Sequence, residues 1–181
     1  MRKLAPQNPQ YGQERRVAEQ GSPGFRMGIG YDVHPLIEGR PLILGGIAIP
    51  YHQGLVGHSD ADCLIHAICD ALLGGISAGD IGRHFPDSDP QYKDVKSLLL
   101  LHKVMEMVTK KGFIVANIDS TIVAQAPHLA PYLPQMEDQI AATVGVEKER
   151  VNVKATSTEG LGCAGRGEGI AAYAVALVER R

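Results

Sequence analysis

Two hydrophobic periodicities follow one another along this chain, and their order constrains the fold more than any other feature. Apolar residues occupy every second position from Phe25 to Tyr31, which predicts a strand whose opposite face carries Asp32 and then His34. Residues 61–73 lack Pro and Gly and are typical of a helix. The apolar stripe of this helix consists of Leu64, Ile68, Ala71 and Leu72. Strands interleaved with helices predict an α/β fold, an α+β sandwich in which helices pack on one face of a mixed β-sheet.

The remaining segments continue this interleaving to the C-terminus. We predict strands at residues 42–49, 117–124, 151–155 and 170–178, and helices at residues 97–110 and 134–144. Gly74, Gly75 and Gly112 follow the first two helical patterns and mark their ends. An irregular loop is expected between residues 79 and 90. The order of the strands in the sheet does not follow from these patterns.

The first 24 residues differ in composition from the rest of the chain. They are rich in Gln, Arg, Pro and Gly, show no hydrophobic period and end in GSPG. We expect residues 1–24 to form a disordered leader, whose origin as a cloning remnant, a natural extension or a worn transit peptide stays open. A chain of 181 residues suits one domain of ordinary size, so residues 25–181 are predicted to fold as a single domain.

Composition and charge exclude several classes of protein. With 44% hydrophobic residues and a net charge of -2, the chain resembles globular proteins and lacks the basic surface of a nucleic-acid-binding protein. No apolar run approaches the ~20 residues that cross a bilayer, and the N-terminus lacks the apolar core of a secretory signal. Three cysteines without a C-x-x-C pair argue against disulfides and a cysteine zinc site. We expect a cytoplasmic bacterial protein, with a plastid-type organelle as the alternative.

One set of polar residues has the composition of a metal site. Asp32 and His34 stand two positions apart on the first predicted strand, so their side chains share one face and can bind the same cation. His66, on the first predicted helix, offers a third ligand, and three protein ligands with one open position are typical of catalytic zinc. Two alternatives stay open. Asp32 and His34 could simply end a strand, and a helical histidine facing a core is more often a hydrogen-bonded core residue than a ligand.

Residues 58–60 (HSD) combine the residue types of a catalytic triad, but adjacent residues cannot adopt the geometry of one. We therefore interpret the segment as a helix entry, with Ser59 or Asp60 as the N-cap and His58 near an anion bound there. A plain N-cap without an anion is an equal alternative.

Two further polar segments could belong to a binding site. The loop of residues 80–90 carries three carboxylates that could bind hydroxyls or an ion, although a turn requires the same residue types and is the favoured interpretation. Residues 154–159 (KATSTE) place hydroxyls and Glu159 after a strand, where they could bind phosphate and Mg²⁺; a helix cap is the alternative. We discount the G-x-G-x-x-G of residues 160–165, because a strand pattern follows it and the chain then ends.

Six segments agree in order and spacing with one enzyme family. They are residues 30–34 (GYDVH), 58–62 (HSDAD), 80–82 (DIG), 85–90 (FPDSDP), 124–127 (AQAP) and 153–159 (VKATSTE). On these motifs the chain resembles the 2-C-methyl-D-erythritol 2,4-cyclodiphosphate synthases, from about Phe25 to the C-terminus. Six linked motifs are far more specific than any one of them.

The resemblance implies a reaction of the non-mevalonate isoprenoid pathway. In it, the 2-phosphate of the CDP-linked substrate, 4-diphosphocytidyl-2-C-methyl-D-erythritol 2-phosphate, attacks the β-phosphorus of the same molecule, and CMP leaves. One Zn²⁺ per chain would be bound by Asp32, His34 and His66. Glu159 would bind Mg²⁺ or Mn²⁺. The family also implies a homotrimer with active sites between subunits.

The resemblance further assigns residues to the reaction and to the substrate. His58 and Ser157 match positions that stabilise the transition state. Positions around the methylerythritol part match Ser59, Asp80, Gly82, Phe85, Asp87 and Asp89. Positions of the cytidine pocket match Ala124, Pro127, His128, Leu129, Ala155 and Thr156. The other implied substrate contacts are Asp32, His34, His58, Ser157, Thr158, Glu159, Cys163 and Arg166.

The chain departs from the family pattern at a few of these positions. His128 stands where relatives often carry Lys, and Ser157 replaces a common Thr but keeps the hydroxyl. Cys163 stands where a large apolar residue is frequent, which puts that substrate contact in doubt. Arg166 and Glu168 match a polar pair near the trimer axis, where an anionic ligand or a downstream isoprenoid could bind; an ordinary surface ion pair is the alternative.

Two rival functions would use the same residues. A metal-dependent phosphoesterase would direct water at a nucleotide diester and form no ring. A non-catalytic trimeric module would bind zinc or a nucleotide without turnover.

Overall fold

The computed structural model of the protein describes residues 24–181. The strands are β1 (Phe25–Glu38), β2 (Leu42–Leu44), β3 (Ile47–Ile49), β4 (Gln53–Leu55), β5 (Phe113–Val123), β6 (Val151–Thr156) and β7 (Gly169–Arg180). The helices are α1 (Cys63–Gly75), α2 (Ile81–His84), α3 (Ser97–Lys110), α4 (Leu133–Val144) and α5 (Gly162–Gly165). Apart from Gly24, the predicted leader lies outside the described residues. No helix within residues 24–181 is long and apolar enough to cross a membrane.

Five strands form one sheet in the order β4-β1-β7-β5-β6. β5 and β6 run parallel, while β1, β4 and β7 pair antiparallel with their neighbours. The sheet is therefore mixed, as the sequence predicts. α1 packs across β1 and β7, and α3 and α4 continue the helical layer over β5 and β6. The core lies between this layer and the sheet, which confirms the prediction of helices on one face.

Short elements account for the differences from the predicted strands and loops. The strand predicted at residues 42–49 is a hairpin of β2 and β3, because Gly45 and Gly46 adopt φ angles of 58° and 76° that reverse the chain. β4 went unpredicted because three residues are too few to show a period. α2 occupies four residues of the predicted irregular loop.

α1 is buried on almost every side, although the sequence suggests a single apolar stripe. Ten of its 13 residues are buried, because the sheet covers one side of the helix and α3 covers another. His66 is one of the few residues of α1 that keep some exposure to solvent. The imidazole of His66 is therefore accessible from the surface of the protein.

β1 and α1 touch backbone to backbone. A Cβ atom added to Gly28 would lie 2.0 Å from the carbonyl oxygen of Ala71, and one added to Gly30 would lie 1.9 Å from that of Ala67. Real Cβ atoms do not approach so closely, so this contact requires glycine at both positions. It brings the next residue of the same strand face, Asp32, close to the helix.

The other face of β1 and β7 is apolar and exposed. We call it the outer face; its side chains are Phe25, Met27, Ile29, Tyr31, Val33, Tyr173 and Val175. Met27 is 72% exposed and Ile29 is 70% exposed, and the rings of Tyr31 and Tyr173 are 4.7 Å apart between centroids. A continuous apolar patch of this kind usually marks a contact with another molecule.

The close contact between β1 and α1 gives a stability prediction. Gly30→Ala should lower the free energy of unfolding by about 3 kcal/mol, because the new methyl group would collide with backbone atoms that cannot rotate away. Gly24→Ala is the matched control, since nothing lies within 4 Å of its added Cβ atom. Urea denaturation followed by circular dichroism measures both. Equal stability of the two variants would show that α1 does not rest on β1.

Candidate active site

Three side chains from β1 and α1 converge on one point. Asp32 and His34 alternate with exposed residues of β1 and so face the helical layer, where His66 on α1 meets them. His34 Nε2 lies 2.9 Å from Asp32 Oδ2, and His66 Nδ1 lies 3.0 Å from the same oxygen. The two ring nitrogens are 3.3 Å apart. One ligand atom from each residue lies within 4.8 Å of the others, so the predicted cluster forms.

The donor atoms fit a tetrahedral cation. With bonds of about 2.0–2.1 Å to zinc, two ligand atoms of a tetrahedral site are separated by about 3.3 Å. The nitrogen–nitrogen separation of His34 and His66 is 3.3 Å, and one carboxylate oxygen completes the set. Two imidazole nitrogens and a carboxylate are a donor set that zinc prefers, and three ligands leave one position open.

The remaining nitrogen of each ring has its own partner. His34 Nδ1 lies 2.8 Å from the carbonyl oxygen of Val56, to which it can only donate. His66 Nε2 lies 2.9 Å from Ser97 Oγ. When these nitrogens carry the protons, His34 Nε2 and His66 Nδ1 present lone pairs to the same point as Asp32. Neither Val56 nor Ser97 was predicted as a site residue, because neither residue type signals a site by itself.

The charge of Asp32 favours the binding of a cation in the cluster. Burial raises the pKa of Asp32, but hydrogen bonds from His34 and His66 outweigh this effect and hold its pKa well below the ordinary range. Burial lowers the pKa of His34, yet the hydrogen bond and charge of Asp32 raise it above the usual value overall. Asp32 therefore stays ionised, as a metal ligand must.

The helix entry is built differently from the sequence interpretation. The N-cap of α1 is Asp62, whose Oδ1 accepts a hydrogen bond from the Ile65 amide at 3.1 Å, so the prediction of Ser59 or Asp60 was wrong. The reason is that Ala61 adopts a φ of 58°, which delays the start of the helix. Asp62 also accepts from the amides of Gly45 and Gly46 and thereby ties the β2–β3 hairpin to α1.

Asp62 is fully buried at this junction. Burial raises its pKa to about 6 despite the amide hydrogen bonds that favour the carboxylate. This role was not predicted, because Ser59 and Asp60, the two residues considered as caps, precede Asp62 in the same motif.

A cavity of about 210 Å³, the metal cavity, opens above the cluster. Its lining includes the predicted residues Asp32, His34, His58, Ser59, His66, Gly82, Phe85 and Asp87, together with Gly57, Ile81, Tyr92 and Leu100. His58 Nε2 lies 3.3 Å from the carbonyl oxygen of Asp89 at its edge. Most of the residues matched to the methylerythritol part thus come together.

Asp80 and Asp89, by contrast, have local structural roles. Asp80 caps α2 by accepting from the Arg83 amide at 3.0 Å, and Asp89 accepts from the Gln91 amide at 3.0 Å. The structural interpretation of this loop therefore holds for these two carboxylates, neither of which lines the metal cavity.

A second cavity of about 300 Å³, the loop cavity, lies beside β5 and β6. It gathers Ala124, Pro127, His128, Leu129, Ala155, Thr156 and Ser157, with Gln125, Ala126, Ala130 and Leu133. No residue lines both cavities. The register places Asp32, Ala172, Ile122 and Ala155 on one row across the sheet. Three strand spacings, about 14 Å, therefore separate Asp32 from Ala155 in one chain.

The last four predicted residues, Thr158, Glu159, Cys163 and Arg166, line neither of the two cavities. Glu159 adopts a φ of 53° and accepts a hydrogen bond from Ser157 Oγ at 2.6 Å.

The alternative of a Ser/Thr helix cap was wrong, because α5 begins after Leu161 without a side-chain cap. β7 follows α5 directly, as expected when the G-x-G-x-x-G was discounted.

Arg166 and Glu168 form a two-pronged ion pair, with Nε–Oε1 at 2.8 Å and Nη2–Oε2 at 2.9 Å. Both side chains are exposed.

All three cysteines are free; Cys63 and Cys69 are buried, and Cys163 is exposed.

Comparison with known proteins now decides the family. A profile described as the YgbB family matches residues 25–179, which is most of the chain. The chain belongs to the YgbB family.

Individual relatives confirm the resemblance inferred from the six motifs. A protein of Geobacter metallireducens named 2-C-methyl-D-erythritol 2,4-cyclodiphosphate synthase is 60% identical over 157 residues, covering 87% of this chain and 100% of that protein. The bifunctional IspDF of Campylobacter jejuni has 41% identity and a TM-score of 0.84, over 87% of this chain and 42% of that chain. IspF of Plasmodium falciparum, in a CDP complex, has 28% identity and a TM-score of 0.76, over 87% of this chain and 97% of that chain.

The ligand cluster leads to a metal-binding prediction. The unaltered protein should retain about one zinc per chain after dialysis, and His66→Ala should lose it, because two ligands hold zinc far more weakly than three. His102→Ala is the matched control, since His102 is an exposed histidine on α3. Metal analysis measures zinc, and circular dichroism checks the fold. Equal zinc in both variants would exclude His66 as a ligand.

Proposed function

We propose that this protein is a 2-C-methyl-D-erythritol 2,4-cyclodiphosphate synthase of the non-mevalonate isoprenoid pathway. It would convert 4-diphosphocytidyl-2-C-methyl-D-erythritol 2-phosphate to the cyclic diphosphate and CMP. The observation that carries the proposal is the convergence of Asp32, His34 and His66 beneath a cavity in a chain 60% identical to a protein of that name. The bacterial source of this relative favours a bacterial cytoplasm over a plastid.

The proposed reaction is an internal phosphoryl transfer, which makes the enzyme a phosphorus–oxygen lyase. An oxygen of the 2-phosphate forms a bond to the β-phosphorus, and the bond from that phosphorus to the oxygen shared with the α-phosphate breaks. CMP takes the electron pair of the broken bond. No protein nucleophile is needed, so the chain has to hold two phosphates in line and offset their charge.

Bound metal ions would supply the positive charge that this task needs. Asp32, His34 and His66 would hold Zn²⁺. Glu159, with a hard carboxylate oxygen, would hold Mg²⁺ or Mn²⁺. Bound there, such ions act as Lewis acids on phosphate oxygens. The depressed pKa of Asp32 supports this proposal, because the carboxylate is available without a proton at neutral pH.

The remaining residues would position the substrate. His58 and Ser157 are proposed to stabilise the transition state by hydrogen bonds to the phosphates, which would replace their present contacts with Asp89 and Glu159. Ser59, Gly82, Phe85 and Asp87 would enclose the methylerythritol part, since they line the metal cavity. The loop cavity would take the cytidine; the CDP complex of the Plasmodium relative supports a nucleotide ligand.

We further propose a homotrimer whose sites lie between neighbours. Within one chain, the two cavities are separated by about 14 Å, and the row between them is filled by the buried side chains of Ala172 and Ile122. A single substrate therefore has no open path between them along this row. The metal cavity of about 210 Å³ is also smaller than a typical ligand site. A neighbour docked on the apolar outer face could bring its loop cavity to the metal cavity.

The identity of the product tests the function. Purified protein incubated with the CDP-linked substrate, Zn²⁺ and Mg²⁺ should yield the cyclic diphosphate and CMP in equal amounts, read by phosphorus NMR. Open-chain hydrolysis products would identify a phosphoesterase instead. Binding without turnover would identify a non-catalytic module.

Mixed assemblies test the sharing of sites. His66→Ala removes a metal ligand, and Ala155→Trp blocks the loop cavity by added bulk, so each variant alone should be inactive. If the two are unfolded and refolded together, about one interface in four should combine an intact ligand set with an open loop cavity. Activity should return to about a quarter of the unaltered level. Mass-confirmed mixed trimers without any recovery would place the whole site in one chain.

A further inference from the structure

A chain of hydrogen bonds extends from His66 away from the metal cluster. His66 Nε2 lies 2.9 Å from Ser97 Oγ, and Ser97 Oγ in turn donates to Asp60 Oδ1. Ser97 is fully buried, so water cannot replace this partner. Asp60, Ser97 and His66 thus form a continuous path that ends at a ligand nitrogen.

A metal bound at His66 Nδ1 would leave the ring proton on Nε2, and the direction of each bond then follows. The single hydroxyl proton of Ser97 goes to the Asp60 carboxylate, which leaves Ser97 Oγ as an acceptor for His66 Nε2–H. Ser59 Oγ, 3.2 Å from the same nitrogen, accepts a hydrogen bond from the Ala61 amide and is a secondary contact. His66 Nδ1 then keeps its lone pair for the metal.

We call the hydrogen-bonded path from Asp60 through Ser97 to His66 the relay. Backbone hydrogen bonds hold it in place. Asp60 Oδ2 accepts from the Ser97 amide at 3.1 Å, the first amide of α3. The Asp60 amide donates to the carbonyl oxygen of Val95, and the Asp94 amide donates to that of His58. Two chain segments that are distant in sequence are thereby clamped together, and the orientation of His66 depends on their junction.

We propose that Asp60 and Ser97 are positioning residues for His66, because they fix its tautomer and orientation and increase its strength as a metal ligand. This inference rests on the proposed metal site. His34 receives only a neutral backbone carbonyl, whereas the relay behind His66 ends in a carboxylate. Removal of such an outer partner typically weakens metal binding about 10- to 100-fold.

Zinc affinity measures the relay directly. Ser97→Ala and Asp60→Asn should each raise the zinc dissociation constant about 10- to 100-fold, measured by competition with a chelator. Ser120→Ala is the matched control for the hydroxyl, since Ser120 is also buried and donates to the carbonyl oxygen of Asn152 in the sheet. Asp138→Asn is the control for the charge, at an exposed ion pair with Lys148. Both controls should stay within about twofold of the unaltered protein.

Asp60→Asn separates positioning of His66 from support of α3. Asparagine keeps an oxygen that can accept from the first amide of α3, as Asp60 Oδ2 does, so the zinc-free variant should unfold at nearly the same urea concentration as the unaltered protein. Loss of zinc affinity without loss of stability is the signature of the relay.

The tautomer provides a readout that needs no metal. In zinc-free protein at about pH 8, nitrogen-15 NMR should show the His66 proton shared between Nε2, which faces Ser97 Oγ, and Nδ1, which faces the Asp32 carboxylate. Ser97→Ala should shift this mixture towards the tautomer with the proton on Nδ1, because the acceptor opposite Nε2 is lost.

Three outcomes would overturn the relay. They are unchanged zinc affinity in both relay variants, an equal loss in the controls, and an unchanged tautomer in Ser97→Ala. If the unaltered protein binds no zinc but shows the expected tautomers, the metal site fails and the positioning of the ring stands. That result separates the failure of the proposed function from the failure of the relay.

Discussion

The contact between β1 and α1 is the interaction on which the rest of the structure depends. Gly28 and Gly30 let the strand approach the helix until backbone atoms touch, which no side chain would allow. One step along the same face, the strand presents Asp32 in place of glycine, and α1 presents His66. The short distance between two backbones thus becomes a distance of 3.0 Å between a carboxylate and an imidazole. A looser packing of helix on sheet would separate the ligands without changing either residue.

The sequence predicted the long elements and the ligand set, and it failed where local geometry decides. The helix at residues 97–110 was predicted with its observed bounds, because apolar residues recur there at helical spacing. β4 and the β2–β3 hairpin were missed or merged, since three residues carry no period. Asp62 was overlooked as the cap because the left-handed conformation of Ala61 is not a preference of alanine.

The site residues show the same division. Asp32, His34 and His66 carry their chemistry in their residue types, so spacing and family motifs were enough to bring them together. Ser97 and Val56 support the two histidines, yet they act through a hydroxyl and a backbone carbonyl that any similar segment could provide. Only the fold shows that residue 97 lies beside residue 66. Supporting interactions of this kind are therefore beyond a sequence, even when the ligands are not.

The glycine contact also has a consequence for assembly. Because the helix-facing side of β1 is given to glycine and then to ligands, the large apolar residues of this strand lie on the opposite face, where this chain leaves them exposed. Such a strand still folds, since β7 and α1 hold it, but it leaves apolar surface that water disfavours. A second copy docked there would bury that surface. In the proposed trimer, it would also bring its loop cavity to the metal cavity. Close packing at the ligands and the proposed docking of a neighbour then have one physical origin. Because glycines stand on the helix-facing side of β1, the large apolar side chains of this strand lie on the outer face, where only another molecule could bury them.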